Sequence, residues 1–253
     1  MKLKPHLRAR KRMRSITKIL ALLFGSTSLI AADVDYEHGR AQVKQMLIDR
    51  PLFRFYRNSK YEIKELKQTD APYIWAVKQF GGLATGEPIV WMPQEPETAR
   101  AEYVGQSMFA PGFIRISFTY KRDDGVAEPL SFDEGWKCIA FELNNIANSN
   151  RMAKLRSAAR NGRISRDEFI WDGPKYEYEA RNKTVAFYKA VWKPWAKKVG
   201  ALTYASTWEN KGRPLSYEEW LKRFAEADPN GYPWKYYGEV YDDLFSRKQP
   251  SER

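Results

Sequence analysis

The chain has 253 residues, 43% of them hydrophobic, with nine tryptophans, one cysteine, two histidines and a formal charge of +12. That composition excludes a disordered chain. It also excludes an intramolecular disulfide and a zinc site built on several cysteines; if His6 is lost with a leader over residues 1–32, a site on paired histidines within one chain is excluded as well.

Residues 1–32 read as a secretory signal peptide: a basic start, an apolar stretch over 19–32, then small residues. The apolar stretch falls short of the roughly 20 residues that a membrane-spanning helix needs, so the expectation is removal and no transmembrane anchor. Met13 begins a more compact leader than Met1, and either can be the true start. Lys2, Lys4, Arg8, Arg10, Lys11, Arg12, Arg14 and Lys18 carry most of the excess charge, which leaves about +4 on the remainder. No long basic run follows them, so no specific nucleic-acid partner is expected. The expected product is exported, to the periplasm or the extracellular space, as a single α+β domain over residues 33–253.

Along that domain, Val43, Met46 and Leu47 recur at helical spacing over 36–49, and Pro51 ends the pattern. Residues 52–67 fit a strand or a helix. Asp70 is a candidate N-cap for a helix over APYIWAVKQF, closed by Gly81-Gly82. EPIVWMP is a short apolar run, and FIRISFTY over 113–120 alternates as a strand, with Ile114, Ile116, Phe118 and Tyr120 on one face. Asp124-Gly125 is a turn signal.

Beyond residue 131 the pattern is helical. Ser131/Glu134, Ser165/Glu168 and Ser216/Glu219 are three capping boxes, each ahead of an apolar pattern. Asp172-Gly173-Pro174 predicts a pause in the second of these helices, which resumes to end near Gly200. The third is YEEWLKRFAEA, stopped by Asp228-Pro229, and the aromatic tail after it suits a further short helix. The expected fold is α+β, a small antiparallel sheet with a predominantly helical C-terminal half.

Chemistry narrows to carboxylates. After the leader the chain keeps only His38, and no G-x-S-x-G accompanies it. Cys138 sits in an apolar helix and reads as a buried, inert thiol. Glu142 stands out: its neighbours three and four positions away are Cys138, Ile139, Asn145 and Ile146, so its carboxylate is partly buried or at a groove edge. Burial raises such a pKa and a cation beside it lowers it. Structurally, Glu142 anchors its helix through a buried hydrogen bond or ion pair; functionally, it is an acid or base working with a second carboxylate. Glycoside hydrolysis requires such a pair, about 5–9.5 Å apart. Glu177 and Glu179 are candidates beside it. Trp234, Tyr236 and Tyr237 in the aromatic tail offer either a platform for a sugar or peptide, or packing.

A strand, a loop and a helix carrying F-E-L-N-N over 141–145 resembles the core of zincin metallopeptidases, whose helix bears H-E-x-x-H. The resemblance covers residues 88–190. It implies that Phe141 and Asn145 stand at the two histidine places, that Glu142 matches the general base, and that Glu177 or Glu179 matches a third-ligand glutamate. Both departures remove metal ligands, so it implies a zincin-like shape without peptidase activity, with no metal and no cofactor. The function expected first is therefore a non-enzymatic domain that binds a peptide, glycan or protein partner through Asn145, Trp234, Tyr236 and Tyr237. The alternatives are a metal-independent carboxylate hydrolase of envelope polysaccharide and a structural component of an envelope assembly.

Overall fold

A computed structural model describes residues 34–83, 88–94, 101–104, 112–117, 119–121, 125–209, 214–228 and 231–246. The leader expected over 1–32 lies outside the described residues, as do Phe118 and Asp124.

The first helix, α1, spans Tyr36–Asp49, with the Asp35 carboxylate accepting from the amides of Glu37 and His38. A 3₁₀ turn at Pro51–Phe53 leads into a short antiparallel hairpin, β1 (Phe55–Arg57) with β2 (Ile63–Glu65). Residues 52–67 thus hold the end of the 3₁₀ turn and two short strands rather than an α-helix. The next helix, α2, is Ala71–Gly81. Its expected cap, Asp70, makes no side-chain cap bond; the carboxylate accepts from the Lys67 amide at 2.7 Å instead. Helices α1 and α2 approach closely because Gly39 lies against the α2 backbone, where a Cβ would stand 2.1 Å from the Val77 carbonyl oxygen.

The central sheet corrects the antiparallel expectation. β3 (Val90–Gln94) runs parallel to β5 (Phe113–Ser117), and β4 (Ala101–Val104) runs antiparallel to β5 on its other side. Ile114 and Ile116 on β5 are buried as the alternation requires. β6 (Thr119–Lys121) pairs antiparallel with β7 (Ala127–Pro129). Gly125 lies between them with φ +80°, the left-handed conformation that favours glycine.

All three capping boxes form. They open α3 (Phe132–Ala147), α5 (Arg166–Phe187) and α8 (Tyr217–Ala227). Helix α4 (Ser149–Arg160) follows α3 directly, and Gly162 turns the chain at φ +68°. The expected pause in α5 does not occur: the helix runs through Asp172-Gly173-Pro174, with Gly173 and Pro174 buried. It continues through a π-helical turn at Tyr188–Trp192 into α6 (Lys193–Val199), and Gly200 ends the run at φ +70°. A short α7 (Ala205–Trp208) and a C-terminal α9 (Trp234–Ser246) complete the elements.

Burial divides into three apolar clusters. The largest joins α1, α2, the central sheet, α3 and α6 around Trp136, Trp192, Phe53 and Phe80. The second holds α4, α5 and α9 together through Phe169, Ile170, Tyr237 and Leu244, and the third seats α8 through Tyr217, Trp220 and Leu221. Asp133, only 4% exposed, fixes the α6–α7 connection to α3. Its carboxylate accepts from the Thr203 hydroxyl and the Trp208 indole at 2.7 Å each, and from the Tyr204 amide at 3.1 Å. Buried carboxylates persist when such donors replace water.

Candidate functional site: two carboxylates in a tyrosine-lined cavity

The site begins with how α3 and α5 are joined. Asn144 on α3 and Asn148, the residue that caps its C-terminus, are both buried. Asn144 donates to the Thr184 hydroxyl at 3.3 Å, and Asn148 donates to the Tyr176 carbonyl at 3.0 Å. These bonds stitch the two helices and satisfy amides that burial would otherwise leave unpaired. With α5 held in that register, Glu142 and Asn145 from α3 meet Tyr176 and Glu177 from α5 in one cavity of about 610 Å³. Tyr103 from β4, Arg156 from α4, and Tyr236 and Tyr237 from α9 complete its working wall.

Glu142 is only 4% exposed. Burial pushes its carboxyl up to about 7, and the nearby charges of Glu177 and Glu102 add to the rise. Asn145 opposes it, donating to Glu142 Oε2 at 3.4 Å, together with a backbone bond from Tyr103. Among the described residues, no Lys or Arg pairs with Glu142. The anchoring ion pair that sequence reading allowed is therefore replaced by an amide partner, and the acid is left poised between its two protonation states.

Glu177 occupies a different setting. The Tyr237 hydroxyl donates to its Oε1 at 2.7 Å and the Tyr232 hydroxyl donates to its Oε2. Burial pushes this carboxyl up, while the two hydroxyl bonds favour the charged form and pull it back. Burial, and next the charge on Glu177, push both tyrosines well above the ordinary phenol range, so they remain protonated donors. Tyr237 reaches this position because Gly173 leaves room for its ring: a Cβ there would stand 2.3 Å from the ring carbons.

The remaining candidates separate. Glu179 lies outside the cavity lining and forms a two-pronged ion pair with Arg151, which holds its carboxyl below the usual range. Tyr236 is 48% exposed and lines the cavity, whereas Trp234 packs into the α4–α5–α9 cluster. Phe141 lines a neighbouring cavity. Cys138 is half-buried rather than buried. Sequence reasoning did not single out Tyr103, Tyr176, Arg156 or Tyr232; the Y-E-Y-E run around Glu177 was the one local signal for Tyr176.

Among the described residues, no helix is long and apolar enough to cross a membrane, and no group of three or more His, Cys, Asp or Glu is placed to hold a metal ion. Comparison with protein-family models, curated proteins and solved structures finds no match. The fold and site define an α+β protein with a diacid cavity walled by tyrosines.

Proposed function

We propose that this chain acts on a glycan, with Glu142 as general acid and Glu177 as general base or charge stabiliser. The observation that carries this reading is that two carboxyl groups in unlike environments line one cavity, with no cation among the described residues neutralising the more buried one. Pairs of acids whose surroundings differ in this way divide acid and base roles between them. In the reaction, protonated Glu142 gives its proton to the glycosidic oxygen as the C–O bond breaks. Ionised Glu177 takes a proton from the water that attacks the sugar carbon. The tyrosine rings supply flat apolar faces and hydroxyl donors, which suit a pyranose ring. The leader read in the sequence supports an exported protein, for which envelope polysaccharide is the substrate at hand. A zincin-like ancestry, suggested by F-E-L-N-N, would account for Glu142 and Asn145 facing a cavity, but the proposal does not depend on it.

A second reading keeps the cavity and the glycan but omits cleavage. It is favoured by the 4% exposure of Glu142 and by the tyrosine hydroxyls that occupy both oxygens of Glu177. The two readings separate in a reducing-end assay on purified peptidoglycan and a panel of neutral and acidic polysaccharides. Hydrolysis predicts release by the wild type and loss of at least 100-fold in both Glu142→Gln and Glu177→Gln, in the range expected for removal of an acid or base. Binding without release supports the second reading, and release unaffected by either substitution contradicts the first.

A further inference from the structure

Glu177 also lines a second cavity, of about 380 Å³, with Phe141, Arg181, Trp220, Phe224 and Tyr232. The two tyrosines on Glu177 divide between the cavities: Tyr237 lines the first and Tyr232 the second. Glu177 is thus common to both, with one of its hydroxyl donors in each, the position at which a polymer occupying both would be divided.

Arg181 gives the second cavity its character. It is half-buried, and it makes no ion pair or hydrogen bond with a described residue. Burial pushes its guanidinium below the usual range; Tyr178 opposes this and the Arg223 charge adds to it. A desolvated guanidinium without a carboxylate is a costly arrangement that a bound anion relieves. Around it the rings pack edge to face and line the cavity with apolar ring atoms: Trp220 to Phe224 at 4.9 Å between centroids, and Phe224 to Tyr232 at 5.4 Å. Such faces accept the C–H side of a sugar ring, and a guanidinium accepts a planar carboxylate through two parallel N–H bonds. Glu177 does not forbid an acidic ligand, because both its oxygens already accept from tyrosine hydroxyls, which hold its charge.

We propose that the Arg181 cavity is a subsite for a carboxylate-bearing sugar unit, so that the glycan reaching Glu177 is an acidic polysaccharide. This rests on the glycan reading of the first cavity, but not on cleavage. The test is calorimetric binding to the full mature chain carrying Glu142→Gln, which prevents turnover. The probes are oligogalacturonates, alginate oligomers and hyaluronan oligomers, each beside its own methyl ester. At least one acid should bind 10-fold or more tightly than its ester. Adding Arg181→Gln should reduce the acid to the level of the ester and leave the ester unchanged, while Arg181→Lys keeps part of the preference. An unaltered thermal midpoint for Arg181→Gln shows that the loss is local. Equal binding of acid and ester, a preference that survives Arg181→Gln, or no binding by any acidic probe overturns the proposal. If the wild type cleaves neutral glycans without regard to charge, the hydrolase stands and this subsite does not. If it binds acids without cleaving them, the reverse holds.

Discussion

Glu142 concentrates the physical tension in the molecule. Its carboxyl is raised from 4.5 to about 7 in the fold, chiefly by burial. Between those values the folded state binds more protons than the unfolded state, so stability falls as pH rises through that window. The full effect is on the order of 3 kcal/mol. Glu142→Gln removes the charge and keeps the shape, so its stability should match the wild type near pH 4 and exceed it by about that amount at pH 8. Chemical denaturation at the two pH values checks this; a variant less stable than the wild type at pH 8 would show that the ionised acid contributes favourably. The oddity of Glu142 was legible in the sequence because a carboxylate among apolar helix positions has few settings open to it. The choice between Glu177 and Glu179 was not. Both sit in one helix beside tyrosines, and two residues of helix turn them to different faces, one into the cavity and one toward Arg151. Arg181 is hidden by the opposite ambiguity. Its spacing from Glu177 is that of an ordinary i,i+4 ion pair, yet Glu177 takes tyrosine hydroxyls instead.

At the scale of elements, α5 does most of the positioning. It supplies Tyr176, Glu177 and Arg181, and it carries the glycine that admits Tyr237. Asp-Gly-Pro reads locally as a break, and the helix runs through it because Gly173 answers a packing demand from α9, a partner more than 50 residues away. Gly173→Ala should therefore displace the Tyr237 ring, despite alanine's better helix propensity. The expected cost is about 1–3 kcal/mol from overpacking, together with loss of the Glu177–Tyr237 bond, measured as a lower thermal midpoint and weaker glycan binding. An unchanged or higher midpoint would mean that α9 seats without that contact. The capping boxes were readable because their signal is contained in four residues. The mixed order of the central sheet was not, since the parallel pairing of β3 with β5 comes from tertiary arrangement rather than from any strand's own pattern.

The whole molecule places its chemistry where two of its apolar clusters adjoin. Helix α3 belongs to the large cluster, α4 and α9 to the second, and α5 contributes residues to all three. Fold class was legible because helical periodicity and caps dominate the C-terminal half. The cavity was not, because its walls come from β4, α3, α4, α5 and α9, which only tertiary packing brings together. The most direct test of the central claim is the pH profile of glycan hydrolysis by the purified protein. Activity should decline as pH rises through about 7, where Glu142 loses its proton, and Glu142→Gln should abolish the activity rather than shift the profile. Turnover that stays level from pH 6 to pH 9, or that survives Glu142→Gln, would contradict the assignment of Glu142 as the acid.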